Sequence, residues 1–505
     1  MNTAFRQGMG AVGSRDTVSA ERWFRQAVEE DPRNLDARMW LGQTLCANGA
    51  RRDGVASLAE AGRGYLQADG LAPRLYEIVV QLQQWRAFEE ALTLTDLMVE
   101  RAPGDVRSRQ MRAAALAMLN RAEEALEEGV ALAKLAPGNL GVETFLASLE
   151  ADAGLHAEAE QRLRDLLGQR PQPREAFRAL KEIARLLDKR GIYDAAFTCL
   201  EKAGEVAPKV PEYAQISRAI IPDMIAQNSA GYSSETMCRW KDAAFEDRPA
   251  PVFVIGFFRS GTTLTQEVLA AHPDTIVADE ESLINAVSAK VHQMMPGPAS
   301  LSNKLSRLTL DDIRALRGHY WSRAEGLFGS ISAGKTFIDK YTMNSLEVGL
   351  ISTLFPDGKL IFMMRDPRDV CVSSFQQLMP PTAATVHLLT WKDTVSLYRM
   401  MMEWWLQIRP QLSMKWREFR YEDTITDFED TYRAMFDYAG LPWTESVVEF
   451  HRQAGRKYIS TPSRGQVSQP IYSSSLARWR RYAGQVESAS ETLAPIIAEL
   501  GYPSS

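Results

Sequence analysis

Residues 251–264 of the 505-residue chain read PVFVIGFFRSGTTL, and this stretch decides the fold of the C-terminal half. The apolar run 251–258 is typical of a buried strand in a parallel sheet. A glycine turn at Gly261 and a predicted helix to about Ala271 follow directly. Where a strand leads through a glycine turn into a helix, unpaired backbone N–H groups and the helix dipole converge on one point. The stretch therefore predicts an anion-binding loop.

The loop departs from the P-loop of nucleotide triphosphatases at one position. Gly256 and Gly261 have the GxxxxG spacing, but Thr262 stands where a Walker A lysine belongs. That lysine, together with magnesium, neutralises the β- and γ-phosphates of a nucleoside triphosphate. The loop offers backbone amides and the side chains of Arg259, Ser260, Thr262 and Thr263. These groups suit a less charged anhydride that is bound without a metal, such as a phosphosulfate.

A second apolar run, residues 359–364, ends at Arg365 and predicts another buried strand. Asp366 can cap the following helix, which has Pro367 in its first turn. Arg365 is thereby expected at the carboxyl edge of the sheet, where open α/β sheets bind ligands. Ser373 follows eight residues later, and an arginine with a hydroxyl is a sound binder of a phosphate monoester.

Both motifs resemble those of the sulfotransferase family, which uses 3′-phosphoadenosine 5′-phosphosulfate (PAPS) as donor. FVIGFFRSGTTL (253–264) resembles the 5′-phosphosulfate loop, and RDPRDVCVSS (365–374) resembles the 3′-phosphate motif. The resemblance covers about residues 250 to 485. It is closer to the tyrosylprotein sulfotransferase-like bacterial branch, in which tetratricopeptide repeats precede the transferase. It implies a three-layer, P-loop-like α/β domain with a mostly parallel sheet, which binds PAPS without a metal.

A catalytic base is expected in the acidic turn Asp279-Glu-Glu-Ser282, which follows a predicted strand at 275–278. Adjacent carboxylates raise one another's pKa, which favours a general base. The resemblance implies that Glu281 has this role. Asp279 replaces the family's glycine, and Leu283 stands where a substrate-contacting arginine would be. A solvated acidic turn is the alternative interpretation.

Three further site residues follow from the resemblance. Lys340, at the end of the strand-like run 336–341, is implied to reach the transferred group and the leaving phosphate. Ser463 matches a serine that contacts the bridging oxygen, and Tyr421 matches a tyrosine near the adenine. An exposed strand-end lysine and a tyrosine in the core are the alternatives. Three arginines near the C-terminus are expected to face either a phosphate or solvent: Arg478, Arg480 and Arg481.

Residues 16 to about 210 are helical in pattern and repeat. Pro103, Pro137 and Pro171 lie 34 residues apart, the tetratricopeptide period, and Pro208 follows 37 residues later. An alanine lies twelve residues before each of these prolines: Ala91, Ala125, Ala159 and Ala196. Ala20 lies at the same distance before Pro32. A small side chain is needed where two helices cross closely. The stretch resembles tetratricopeptide repeats with about six helix pairs; an irregular helical bundle is the alternative.

Composition limits the function classes. With 45% hydrophobic residues, 24% charged residues and a net charge of −6, the chain is unlike a disordered protein, a membrane bundle or a nonspecific nucleic-acid binder. The four cysteines and six histidines lack metal-ligand spacing. No signal peptide or membrane span is evident, so a cytoplasmic location is expected. The predicted division is 1–210 repeat solenoid, 211–249 connecting segment with a loop at 228–231, and 250–505 sulfotransferase domain.

The sequence thus predicts transfer of a sulfonate from PAPS to an acceptor hydroxyl of a peptide tyrosine, a sugar or a small molecule. The repeats are expected to bind a peptide or protein partner. One alternative is a noncatalytic scaffold with a vestigial nucleotide fold. A P-loop kinase, which would require magnesium and ATP, is the other.

Overall fold

The computed structural model describes residues 3–14, 16–69, 71, 73–245, 248–331, 334–451 and 475–503. Ser463 therefore lies outside the described residues. Packing divides the chain into two compact units, residues 1–169 with 321–330 and residues 170–320 with 331–505. The division at 210 and 250, drawn from the repeat pattern, stays a prediction. The packing groups the helices between residues 170 and 210 with the C-terminal unit.

Consecutive helices form the N-terminal unit, as the 34-residue period predicts. They are α1 (Thr3–Gly13), α2 (Thr17–Glu30), α3 (Leu35–Ala47), α4 (Arg51–Asp69), α5 (Pro73–Gln84), α6 (Phe88–Arg101), α7 (Val106–Met118), α8 (Ala122–Leu135), α9 (Leu140–Asp152) and α10 (His156–Gly168). The helical repeats expected for this part of the chain are confirmed.

Two local features explain the repeat. The alanines singled out in the sequence have no exposed surface, as expected where helices cross closely: Ala20, Ala91, Ala125, Ala159 and Ala196. In three repeats a capping residue follows the proline by two positions, and its side chain accepts from a backbone N–H of the next helix: Asn34, Asp105 and Asn139. Each such cap stabilises its helix by about 1 kcal/mol.

Residues 321–328, the end of the helix Leu310–Phe328, are grouped with the N-terminal unit. The helices after residue 170 alternate in sequence with the strands of a sheet. They are α11 (Pro173–Lys189), α12 (Tyr193–Val206), α13 (Pro211–Ala214), α14 (Ile220–Gly231), α15 (Ser234–Cys238), α16 (Thr262–Ala270), α17 (Leu283–Met294), α18 (Leu301–Leu305), α19 (Leu310–Phe328), α20 (Val348–Leu354), α21 (Pro367–Gln376), α22 (Trp391–Ile408), α23 (Tyr421–Thr426), α24 (Phe428–Ala439), α25 (Ala483–Glu487) and α26 (Ser490–Glu499). Short 3₁₀ helices lie at Ala207–Lys209, Thr342–Ser345, Thr385–Leu389, Arg409–Gln411, Glu445–Glu449 and Arg478–Tyr482.

A five-stranded parallel sheet is the centre of the C-terminal unit. Its strands are β1 (Val252–Gly256), β2 (Thr275–Asp279), β3 (Thr336–Lys340), β4 (Lys359–Met364) and β5 (Lys415–Arg420), in the order β2-β3-β1-β4-β5. The expected parallel α/β sheet is confirmed. Because β1 lies between β3 and β4, the two predicted anion motifs leave neighbouring strands at the same edge of the sheet.

The loop predicted at 228–231 is wrong, because these residues are the last turn of α14. Asn228 is buried, and its side-chain amide donates to the carbonyl of Leu346 at 2.7 Å. Gly231 packs so close to Ser302 that an added Cβ would lie 2.0 Å from its hydroxyl. Tertiary contacts therefore retain two weak helix formers inside a helix.

Candidate active site

The loop after β1 has the backbone of an anion-binding turn. Arg259 and Gly261 both have positive φ, +65° and +93°, and α16 begins at Thr262. The N–H of Ser260 donates to the carbonyl of Phe257 at 3.3 Å and closes the turn. The first amides of α16 therefore face the carboxyl edge of the sheet, where an anion is favoured by the helix dipole.

The two predicted motifs are in direct contact. The Nε of Arg259 donates to the hydroxyl of Ser373 at 3.0 Å. In the other direction, Nη1 of Arg365 donates to the carbonyl of Arg259 at 3.1 Å. Residues separated by more than one hundred positions in sequence thus form one site, as expected for two loops that leave neighbouring strands.

Arg365 lies almost wholly inside the protein, with 5% of its surface exposed. Its Nη2 donates to the carbonyl of Ser475 at 2.6 Å and lies 3.5 Å from a carboxylate oxygen of Asp369. Its Nε is buried and has no hydrogen-bond partner among the described residues. A buried cationic donor without an acceptor is costly, so this N–H fits a bound anion.

Tyr421 lies between the two motifs. The guanidinium of Arg365 stacks over its ring at 4.7 Å, and its hydroxyl is 2.8 Å from that of Ser475. The Tyr421 ring also packs closely against Gly261: a Cβ added to Gly261 would lie 2.4 Å from Cδ2 of Tyr421. Tyr421 is therefore a buried spacer that positions the loop and Arg365; the adenine contact expected for it stays a prediction.

The hydroxyl groups predicted for the loop are buried beside it. Ser260, Thr262 and Thr263 are each at most 5% exposed. The hydroxyl of Thr262 lies 3.3 Å from that of Thr342, which follows β3. The loop thus contacts the segments after both β3 and β4.

The acidic turn and Lys340 meet because β2 pairs with β3, and the register places Asp279 opposite Lys340. The Lys340 side chain is fully buried, and its Nζ donates to a carboxylate oxygen of Glu280 at 2.8 Å and lies 3.8 Å from Asp279. Glu280 has a φ of +55°, and its N–H donates to the carbonyl of Lys340. The lysine therefore pairs with Glu280, whereas Glu281 is the next residue of the turn.

Asp339 is a site residue that the sequence reasoning missed. It is fully buried, accepts from the hydroxyl of Tyr320 at 2.8 Å and from the side-chain amide of Asn344 at 3.3 Å. Burial raises its pKa to about 7, and the negative charge of Glu281 contributes to the increase. An aspartate within an otherwise apolar strand, directly before Lys340, was the available signal.

Comparison with known proteins identifies this region. The C-terminal region matches the sulfotransferase family. The matched residues are 251–445, which contain both anion motifs, the acidic turn and Lys340. All the strands described above lie within this range.

Individual relatives agree with the family match. Protein-tyrosine sulfotransferase 1 of Danio rerio is 24% identical over 259 residues, which cover 50% of this chain and 72% of the relative. Protein-tyrosine sulfotransferase 1 of Homo sapiens is 26% identical over 269 residues, which cover 52% of this chain and 71% of the relative. An uncharacterized protein of Aquifex aeolicus is 28% identical over 306 residues, 59% of this chain. The matched part spans only 39% of the length of that relative.

Two solved structures are similar to different parts of the chain. A sulfotransferase domain from the curacin biosynthetic pathway has 17% identity and a TM-score of 0.35, and the match covers 51% of this chain and 99% of that domain. A tetratricopeptide repeat protein from Parabacteroides merdae has 18% identity and a TM-score of 0.33, and the match covers 39% of this chain and 77% of that protein.

The described residues contain no group of three or more His, Cys, Asp or Glu side chains placed to hold a metal ion. None of their helices is both long and apolar enough to cross a bilayer.

Proposed function

We propose that the C-terminal unit transfers a sulfonate group from PAPS to an acceptor hydroxyl. The observation that carries the proposal is the direct contact between the two anion motifs, Arg259 to Ser373 and Arg365 to Arg259. One ligand with an anionic group at each end fits two adjoining anion sites better than two separate anions do. The buried Nε–H of Arg365, which has no partner in the part of the chain that the structure describes, supports a phosphate at its end.

In this proposal the loop amides and the hydroxyls of Ser260, Thr262 and Thr263 bind the 5′-phosphosulfate. Arg259 adds positive charge there. Arg365 and Ser373 bind the 3′-phosphate, and Tyr421 holds Arg365 in place through the stacking contact at 4.7 Å. The transferred sulfonate carries a single negative charge, which these groups can neutralise without a metal.

The reaction follows from the acidic turn and Lys340. Glu281 takes the proton of the acceptor hydroxyl as its oxygen attacks sulfur, and the bond from sulfur to the bridging oxygen breaks. Lys340, a fixed and buried cation, stabilises the charge that develops on the leaving phosphate, and Ser463 is proposed to contact the bridging oxygen. The products are a sulfate ester and adenosine 3′,5′-bisphosphate.

The acceptor is proposed as a hydroxyl compound: a peptide tyrosine, a sugar or a small molecule. The relatives named protein-tyrosine sulfotransferases favour tyrosine. Leu283, at the position where an arginine would contact the substrate, is buried with 1% of its surface exposed and offers no charge to an acceptor. We further propose that the helical repeats bind a peptide or protein partner.

Calorimetry with adenosine 3′,5′-bisphosphate and ATP, each with magnesium and with a chelator, tests the donor. We expect metal-independent binding of the bisphosphate. Binding of ATP only in the presence of magnesium would instead identify a kinase.

A radiolabelled-donor screen with variants tests the base. Glu281→Gln should bind the bisphosphate normally and lose turnover, because it cannot take the proton. Glu429→Gln, on the exposed face of α24, is the matched control and should keep both. Full turnover by Glu281→Gln would overturn the assignment of Glu281 as the catalytic base. If neither the wild type nor any variant labels any acceptor, the result would favour the noncatalytic scaffold.

A further inference from the structure

The segment 475–482 contacts two charged residues of the predicted 3′-phosphate motif, Arg365 and Asp369, through its backbone. The carbonyl of Ser475 accepts from Nη2 of Arg365 at 2.6 Å. The backbone N–H of Trp479 donates to a carboxylate oxygen of Asp369 at 2.7 Å. Burial raises the pKa of Asp369, while the charge of Arg365 opposes this. Two backbone groups of one short segment therefore help to orient the Arg365–Asp369 pair.

A second carboxylate, Asp188 near the end of α11, also contacts this segment. Asp188 forms an ion pair with Arg478 and accepts from the hydroxyl of Tyr482. The side-chain amide of Gln376, the last residue of α21, also donates to it at 3.3 Å. Asp188 thus connects the segment 475–482 to the helix that carries Ser373.

Aromatic packing adds to this anchor. Tyr482 is fully buried, and its ring lies 5.3 Å from that of Tyr193 in α12. In sequence, α11 and α12 are the last pair of the 34-residue repeat pattern, with Ala196 twelve residues before Pro208. In packing they belong to the C-terminal unit. The last helix pair therefore supports the transferase rather than only extending the repeats.

We propose that Asp188 is a positioning residue for the donor. It holds Arg478 and Tyr482, so the segment 475–482 keeps its Ser475 carbonyl on Arg365 and its Trp479 N–H on Asp369. Arg365 is thereby pre-oriented for the 3′-phosphate. This inference rests on the proposed function, because it assigns the 3′-phosphate to Arg365. It adds a residue of the last repeat pair to the determinants of donor affinity.

The test compares two nucleotides and two carboxylates. Adenosine 3′,5′-bisphosphate carries the 3′-phosphate, and adenosine 5′-phosphosulfate lacks it. Asp188→Ala should weaken bisphosphate binding about tenfold or more, since pre-orientation of Arg365 is lost. Its affinity for adenosine 5′-phosphosulfate should not change. Asp194→Ala is the matched control, because the side chain of Asp194 in the same helix pair accepts an exposed hydrogen bond from Gln485 at 2.7 Å.

A double-mutant cycle with Arg478→Ala gives a second readout. If the two residues act through one ion pair, the double variant should bind the bisphosphate no more weakly than either single variant. Should Asp188→Ala fail to fold by circular dichroism, Asp188→Asn takes its place, because it keeps the side-chain volume and one acceptor oxygen.

The outcomes separate this inference from the proposed function. If the wild type binds no bisphosphate, the proposed function itself fails. If the wild type binds it and Asp188→Ala binds it equally well, only the positioning role is overturned. Equal loss of both nucleotides in a folded Asp188 variant would also overturn it, since that result indicates general damage to the site.

Discussion

Replacing Gly261 by alanine should damage the anion-binding loop by two additive effects. The first is the backbone conformation, because a φ of +93° costs an alanine about 1–2 kcal/mol relative to glycine. The second is the contact with Tyr421, whose Cδ2 would lie 2.4 Å from the new Cβ. The ring is buried and is held by Ser475 and Arg365, so its displacement should cost a further 1–3 kcal/mol or so.

The expected loss of unfolding free energy for Gly261→Ala is therefore about 2–5 kcal/mol. Gly440→Ala is the matched control in the same unit. Gly440 has a similar φ of +86°, but among the described residues its added Cβ would meet only the flexible end of Lys359, at 3.2 Å. Because only the backbone effect applies there, the control should lose about 1–2 kcal/mol.

Chemical denaturation followed by the fluorescence of the tryptophans measures both losses, and calorimetry with adenosine 3′,5′-bisphosphate measures the site. Gly261→Ala should be the less stable variant and should bind the nucleotide more weakly, since displacement of Tyr421 also moves Arg365. Equal stability losses in the two variants, together with unchanged nucleotide affinity, would refute the packing argument.

Two further predictions concern other parts of the molecule. Ala159→Leu in α10 should destabilise the repeats by about 1–3 kcal/mol, because Ala159 has no exposed surface. The control Ala157→Leu, on the exposed face of the same helix, should be nearly neutral. Equal melting temperatures of the two variants would contradict a close helix crossing at Ala159. Asp339→Asn should flatten the pH dependence of stability. The folded-state pKa of Asp339, about 7, lies above the unfolded value, so the folded protein retains the proton and wild-type stability falls as pH rises from about 4 to 7. Melting temperatures at pH values of about 5 and 8 should therefore differ less in the variant, and an unchanged difference would count against a protonated Asp339.

Much of the fold could be predicted because its signals are local. The apolar runs that became β1 and β4 are short and end at a glycine turn or a capping aspartate. Asp366 does cap α21, and its side chain accepts from the N–H of Arg368. The alanine-to-proline offset likewise predicted the helical repeats. Such patterns depend on neighbours within a few residues, which the sequence shows directly.

The candidate site could be predicted only as separate pieces. Arg259 and Ser373 were assigned to different motifs, and the structure joins them by a hydrogen bond across 114 positions. Lys340 was expected to reach the transferred group and the leaving phosphate, and its pairing with Glu280 of the acidic turn was not foreseen. Neither Ser475 nor Asp188 carries a pattern that marks it, since each acts through a backbone carbonyl or an ion pair with a residue distant in sequence.

The amino-acid order alone determined most of the strands, helices and anion-binding turns, because backbone periodicity, glycine and capping residues act over one or two turns; at residues 228–231 tertiary contacts kept a helix where a loop was predicted. Only the tertiary structure decided which of these turns face each other and which helix pair supports the segment 475–482. Those choices depend on strand order and on side-chain packing between residues more than one hundred positions apart, as in the contacts of Asp188 with Arg478 and Tyr482.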